Sequence, residues 1–544
     1  MKRRYIEKNN VLLVNITRLG DMLQATPTIA GIKAENPNCK ITVLVEKQFE
    51  SVCHWLPNID EVISLDMSWI VRNIARGPEG TIDAYEFVSD FIDDLRKRNF
   101  DYCLNMSSSA YTALLLKMLN IKKHGGWTAD DEGCRVIESD WAKLFACSVF
   151  HQNRRFNSIN LVDVFRCSAD VEKHPQKLLI NIDDKEKKYC EDLLAGAGFT
   201  NTGPLVAVQA GASQGKRQWA PERFIKMIKI LIEEHNMRVV LTGTKKELSI
   251  IQPIKDGLNS NNVFVAAGKT NIPQLTALLS LCSLLITGDT GPMHISIATG
   301  TPVLAMFLAS AYIYETGPYS EGNIVLQPVV QCCPCNPNKL CSRMDCHVQI
   351  SPELMADLAV RRVNNDFKSL PEGYANPNEV IVYRSEFDEF GFCDFRALTS
   401  DVSDPWRKYR EAYRKVWLTD LAGYECGLQP ESPEDIKAIE GLGTIISLAQ
   451  EGVRLIDELI GYVKDVHSTA ASLGRVNKAL SELDRQIEQI GYHYQYFGPL
   501  TRMFIFSKEN ISGTDAIELA SQMRVHYQSL ERRGRQLAYF YSKI

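Results

Sequence analysis

Three short stretches combine residue types that can do chemistry, and each falls where an apolar run of strand length gives way to a helical pattern. The last of them, Leu284-Leu285-Ile286-Thr287-Gly288-Asp289-Thr290-Gly291-Pro292-Met293-His294, places an acid and a hydroxyl between a strand and a helix opened by Gly291-Pro292. A helix N-terminus offers N–H groups that no intrahelical carbonyl uses, so this turn suits a phosphate-bearing ligand. Asp289 and Thr290 would otherwise serve only the turn's own backbone. His294, one turn into the helix, faces either that ligand or the layer between helix and sheet. The middle stretch runs Ala210-Gly211-Ala212-Ser213-Gln214-Gly215-Lys216-Arg217-Gln218-Trp219-Ala220-Pro221-Glu222. Its small residues let backbone N–H groups approach an anion, Ser213 can donate a hydrogen bond, and Lys216 or Arg217 can neutralise a phosphate. It lacks P-loop spacing, and its plainer reading is a solvated basic loop. The first stretch, Thr17-Arg18-Leu19-Gly20-Asp21-Met22-Leu23-Gln24, sets Asp21 in a first helical turn, where the helix dipole favours the ionised carboxylate. Such an acid is either a general base aimed by a rigid junction or simply a helix-start acid.

A fourth concentration is different in kind. Five of the fifteen cysteines crowd into Cys332 to Cys346, inside a Pro- and Asn-rich loop. Cys332-x2-Cys335 is a chelating spacing, and Cys341-x4-Cys346 could complete a tetrahedral thiolate site for zinc or iron. Cys333 would be the spare or exchange roles with Cys332, and His347 is an alternative fourth ligand. Free thiols, or disulfides in an exported protein, are the competing explanations.

These stretches need a scaffold that presents turns at strand ends. Val11 to Ile16 is β-branched without polar alternation, as in a central parallel strand covered on both faces. Strands are expected at Lys40 to Val45, Glu61 to Leu65 and Phe100 to Asn105, with helices near Phe49 to Trp55 and Ala84 to Arg98. The pattern restarts with strands at Leu178 to Ile182, Leu205 to Gln209, Met237 to Thr242, Val263 to Ala266 and Pro302 to Phe307. Alternation of this kind predicts an α/β fold of two successive doubly wound units. Residues 1–170 and 171–365 are those units. Residues 366–430 read as a linker and a crossover helix, whose stripe of Trp406, Tyr409, Tyr413, Val416 and Trp417 is expected to be core. Residues 431–544 carry apolar positions at alternating three- and four-residue steps, from Ile439 to Val463 and again from Leu473 to Ile490. That spacing predicts an all-helical domain with a helix–helix seam, for oligomerisation or acceptor docking.

The totals exclude several classes. A chain of 544 residues with 61 basic and 66 acidic side chains has a net charge of −5, which points away from nucleic acid. No apolar run approaches a membrane span, and the basic start Met1-Lys2-Arg3-Arg4 is followed by too short an apolar run for a signal peptide. A cytoplasmic protein is expected, with peripheral contact to the membrane surface.

In order, Arg18-Leu19-Gly20-Asp21, Gly211-Ala212-Ser213 through Lys216 to Trp219-Ala220-Pro221-Glu222, and Asp289-Thr290-Gly291 with His294 and Gly300-Thr301-Pro302 resemble glycosyltransferase family 9, the ADP-heptose-dependent heptosyltransferases. The resemblance covers about residues 8–365 and omits the helical extension. It implies a GT-B fold, two Rossmann-like domains facing a cleft, with acceptor on the first and nucleotide-sugar donor on the second. It implies a metal-independent inverting transfer in which Asp21 deprotonates the acceptor hydroxyl. Lys216 would contact donor phosphate, and Asp289, Thr290, Gly291 and His294 would hold the donor. Some members carry a similar cysteine loop, and the group that modifies autotransporter adhesins is described as iron-binding, so a structural zinc or iron is expected at Cys332, Cys335, Cys341 and Cys346. Where the family often has an acid after the glycine of the fourth-strand turn, this chain has Thr244-Lys245-Lys246-Glu247 after Gly243.

The expected function is transfer of a heptose or related sugar from an ADP-sugar to a lipopolysaccharide or protein acceptor, with homo-oligomerisation through the C-terminal helices. The alternatives are a non-enzymatic GT-B scaffold and a GT-B nucleotide-sugar epimerase.

Overall fold

The computed structural model describes residues 8–544 apart from 122, 200–202, 367–369, 372, 400–403 and 466. The basic start at residues 1–4 and part of the expected linker therefore lie outside the described residues. These form two compact units, each built from separated stretches: residues 8–103 with 159–404, and Leu104–Ser158 with Pro405–Ile544.

The strands, in chain order, are β1 (Asn10–Val14), β2 (Lys40–Glu46), β3 (Glu61–Leu65), β4 (Tyr102–Asn105), β5 (His124–Ala129), β6 (Arg135–Ile137), β7 (Leu205–Gln209), β8 (Arg238–Thr242), β9 (Val263–Val265), β10 (Leu284–Gly288), β11 (Val303–Met306), β12 (Ile324–Pro328), β13 (Val380–Phe387) and β14 (Cys393–Ala397). In the first unit β3-β2-β1-β4 are neighbours in that order, with β1·β2 and β2·β3 parallel. Val11 to Val14 are fully buried, as a strand covered on both faces requires. The chain winds outward from β1 to β3 and resumes beside β1 at β4, so a switch point lies at the carboxyl end of β1.

The unit's other sheet runs β14-β13-β12-β11-β10-β7-β8-β9. It is parallel from β9 to β12. Here too the winding reverses, between β7 and β10. The loop after β7 and the turn after β10 therefore sit side by side at the place where open α/β sheets bind ligands. Helix Pro221–Glu233 buries Phe224, Met227, Ile228 and Leu231 in the core that includes Val206, Val208 and Ile286.

Two expectations are corrected. Leu178 to Ile182 forms no strand: the Leu179 amide donates to Thr26 Oγ1 (3.0 Å) and the Asn181 amide to the Trp55 carbonyl (2.7 Å), partners that replace a ladder. Residues 366–430 hold more than a linker and a helix, because β13 pairs antiparallel with both β12 and β14. The charged run Arg384 to Glu389 obscured this hairpin in the sequence.

A buried charge pins the unit together. Asp163 accepts from Arg166 Nε (2.7 Å), the Tyr319 hydroxyl (2.9 Å) and the Cys393 amide (2.9 Å), and is wholly buried.

The other unit holds the β5–β6 hairpin and the C-terminal helices. Leu442–Lys464 packs on Ala516–Lys543 and on Ala470–His493. The predicted seam exists, with the last helix as its closest partner, and Gly452 lies so near that a Cβ there would be 2.3 Å from the Tyr527 ring. Helix Arg407–Asp420 buries Tyr413, Val416 and Trp417, and Trp406 meets Phe156 edge-on at 5.4 Å, so the aromatic stripe is core. Among the described residues no helix is long and apolar enough to cross a membrane.

Helix Leu19–Glu35 must keep its seat if the turn before it is to be aimed. A Cβ on Gly31 would lie 2.2 Å from Val171 Cγ1 and 2.7 Å from the Lys173 carbonyl oxygen. Gly31→Ala is expected to cost about 1–3 kcal/mol by overpacking. An unchanged urea midpoint by circular dichroism would count against this packing.

Candidate active site

At the end of β1, Asn15 ties the turn together: its Nδ2 donates to the Asp21 carbonyl (3.0 Å) and its Oδ1 accepts from Thr17 Oγ1 (2.6 Å). Asp21 stands in the first turn of Leu19–Glu35. Burial pushes its carboxyl above the ordinary range, while Thr17, His294 and Arg18 pull the other way. A carboxyl so placed is a stronger base than one in water once it is ionised.

The second end of the site is the turn after β10. Asp289 accepts from Arg217 Nη1 at 3.1 Å and from Thr316 Oγ1 at 3.2 Å, so its oxygens go to side chains rather than only to its own turn. Arg217 Nε donates to Ser310 Oγ (3.0 Å). Thr290 is the N-cap of helix Gly291–Thr299, and its hydroxyl shares a hydrogen bond with Thr287 Oγ1 (2.9 Å). A Cβ on Gly291 would meet only Leu19 Cδ2, at 3.6 Å, which leaves space for a ligand to approach the backbone.

His294 links the two ends. Its side chain is buried, and a Cβ on Gly20 would come within 2.9 Å of its Cδ2. Gly20 is thus small because the imidazole occupies the space a side chain would take. Burial lowers the imidazole's pKa, opposed by Asp289 and Asp21, and Nδ1 has no hydrogen-bond partner among the described residues. Helices Leu19–Glu35 and Gly291–Thr299 pack together, so Asp21 and Asp289 flank one neutral ring.

The basic loop divides its two cations. Ser213 is exposed at its tip. Lys216 Nζ does not turn to Asp289: it donates to the carbonyls of Asn336 (3.0 Å), Pro337 (2.8 Å) and Lys339 (3.0 Å). Arg217 is the cation at the turn. The sequence held both residues as candidates, and only their partners separate them. Glu247 was given no role in the sequence, yet it reaches the ends of β7 and β8. Its Oε2 accepts from the Thr244 amide (2.7 Å) and its Oε1 from Gln209 Nε2 (3.1 Å). A Cβ on Gly211 would collide with it at 1.9 Å.

In the cysteine loop, Cys332, Cys333 and Cys335 bring their sulfurs within 4.8 Å of one another. Cys346 is near enough for Cys333 to act on it, and the neighbouring Cys333 thiol lowers the Cys346 thiol to about 7 and the Cys332 thiol to about 6. Cys341 and Cys346 both lie outside this group of three, which takes in Cys333 beside Cys332 and Cys335 of the spacing-based set. The reason is a turn: the Cys333 amide donates to the Val330 carbonyl (2.9 Å), and the folded chain aims adjacent thiols the same way. His347 is committed elsewhere, its Nε2 donating to the Lys216 carbonyl (2.8 Å).

The chain is similar to known proteins over its two-sheet part. Residues 88–344 match the family model for glycosyltransferase family 9 (heptosyltransferase). The chain is 26% identical over 324 residues to lipopolysaccharide heptosyltransferase 3 of Escherichia coli K12, covering 56% of this chain and 84% of that protein. It is 25% identical over 320 residues to lipopolysaccharide core heptosyltransferase OpsX of Haemophilus influenzae, covering 57% and 82% respectively. The crystal structure of a family 9 glycosyl transferase from Veillonella parvula superposes with a TM-score of 0.52 at 20% identity, over 66% of this chain and 98% of that one. Its two sheets share that GT-B architecture, residues 88–344 match glycosyltransferase family 9, and the protein is a glycosyltransferase.

Proposed function

We propose that the protein is an inverting heptosyltransferase, moving a heptose or closely related sugar from an ADP-sugar to a saccharide of the lipopolysaccharide core. The observation that carries the reading is the buried His294 ring against Gly20, which sets the acid after β1 beside the acid after β10. The names of the curated relatives support the lipopolysaccharide acceptor and the heptose.

In this reading the acceptor hydroxyl gives its proton to the Asp21 carboxylate as its oxygen attacks the anomeric carbon. The bond from that carbon to the diphosphate oxygen breaks, and ADP leaves with added negative charge. Arg217 and the start of helix Gly291–Thr299 face that charge, where fixed donors act more strongly on the transition state than on the ground state. Asp289 orients the sugar, with Thr290 and Gly291 beside the diphosphate. Ser213 closes the phosphate loop, and Glu247 accepts hydroxyls of the nucleoside ribose.

A tetrahedral thiolate site has sulfurs about 3.8 Å apart when each metal–sulfur bond is ~2.3 Å. Cys332, Cys333, Cys335 and Cys346 fit such a structural zinc or iron ion, which would hold the loop's shape and take no part in transfer. The purified chain should then carry about one equivalent of metal. Cys333→Ser should lose it and Cys341→Ser retain it; elemental analysis giving the reverse would restore the spacing-based ligand set.

Asp21→Asn should lower transfer by at least ~100-fold while donor affinity changes little. A base whose carboxyl is raised by burial works above its pKa and fails as pH falls through it. The acidic limb of kcat/KM should therefore lie above the ordinary carboxylate range in the wild type and vanish in D21N. Retained turnover would refute the assignment. Release of ADP only with core lipopolysaccharide supports the acceptor, release only with a protein redirects it, and sugar interconversion without acceptor makes the protein an epimerase.

A further inference from the structure

Lys216 spends its ammonium far from where a phosphate-binding lysine would. An ammonium has three protons, and here each has a carbonyl: those of Asn336, Pro337 and Lys339, all in the cysteine-rich loop, at 2.8–3.0 Å. The clasp is reciprocal. The Lys216 carbonyl accepts from His347 Nε2 (2.8 Å), and Trp219 Nε1 donates to the His347 carbonyl (3.2 Å). A few residues on, Arg223 Nη1 donates to the Ile350 carbonyl (3.0 Å). The loop also reaches the far side of Arg217. The Cys335 amide donates to the Ala309 carbonyl (2.9 Å), and the next residue, Ser310, accepts from Arg217 Nε (3.0 Å). Arg217 thus has the cysteine loop behind it through Lys216 and beside it through Ala309 and Ser310, and its remaining contact in the site is Asp289 at 3.1 Å.

We propose that Lys216 is a positioning residue, which clasps the cysteine-rich loop to the segment Gly215–Arg217 and so holds Arg217 on Asp289 for the donor diphosphate. The inference rests on the reading of Arg217 and Asp289 as the donor end, and it makes the fold of the cysteine loop a condition for donor binding. Charge-assisted hydrogen bonds to three carbonyls fix a chain segment more firmly than one contact to an incoming ligand would. Residues 336–339 have their own amide bonds to report on that fixation: the Lys339 amide donates to the Asn336 carbonyl (3.2 Å) and the Asn338 amide to Asn336 Oδ1 (2.9 Å).

The test uses the full chain as purified, without nucleotide, and reads hydrogen exchange of peptides spanning 336–340 and 215–219 together with ADP affinity by titration. Lys216→Met should speed exchange in both peptides by about tenfold and weaken ADP by roughly tenfold. Arg217→Met should weaken ADP at least as much and leave exchange of 336–340 as in the wild type. Lys216→Arg, which keeps donors on a long stem, should recover part of the protection in 336–340. If Lys216→Met weakens ADP while nucleotide-free exchange stays at the wild-type rate, Lys216 touches the phosphate directly and the inference falls. A wild-type chain that binds no ADP overturns the donor reading and this inference with it. A wild type that binds ADP, beside a Lys216→Met variant matching it in both readouts, overturns the inference alone.

Discussion

Everything in the site follows from one constraint on parallel sheets: consecutive strands must wind the same way, so a sheet that grows from its middle outward has to reverse beside the strand where it began. The reversal leaves adjacent carboxyl ends without a helix between them. In the second sheet β7 and β10 are that pair, and the loops that leave them bring Arg217 to Asp289 although the two are far apart in sequence. At the first sheet the same reversal frees the end of β1, where the turn to Asp21 begins. Two acids and an arginine are therefore gathered by winding order, and the side chains supply only the last few ångströms.

Those ångströms are set by tight packing. Gly20 lies so close to the His294 ring that any side chain at that position has to displace it. The imidazole, buried and low in pKa, is a neutral spacer between two carboxyl groups that would otherwise repel one another. Arg217 pairs with Asp289 at 3.1 Å, whereas burial pushes the Asp21 carboxyl above its ordinary range. The two acids thus meet different neighbours although they are of one type.

How much of this could be read from residues alone depended on whether the signal was local. Val11 to Val14 and Leu284 to Ile286 declared themselves as buried strands because an unbroken apolar run has few other places to go, and the turns after them followed. Leu178 to Ile182 gave the same local signal and formed no strand, since its amides found Thr26 and Trp55 instead of a neighbouring strand. The hairpin β13–β14 escaped notice because Arg384 and Glu386 interrupt the apolar run of β13. Partner choice was least legible. Nothing in the order Lys216-Arg217 says that the first serves a loop more than a hundred residues away while the second serves the turn. Likewise, Cys333 and Cys341 are indistinguishable until the turn closed at Val330 decides which thiol faces inward.

Asp163 shows how the unit's assembly must be ordered in time. Its carboxylate is wholly buried, and one of its donors, the Cys393 amide, lies 230 residues further along the chain. Closing so long a loop is slow compared with forming the local pair to Arg166, three residues away. Until β14 is in place, the pocket around Asp163 has to stay open to water, because a carboxylate shut in without its full set of donors is costly. The hairpin β13–β14 thus supplies, through the Cys393 amide, the long-range donor that the buried Asp163 carboxylate needs.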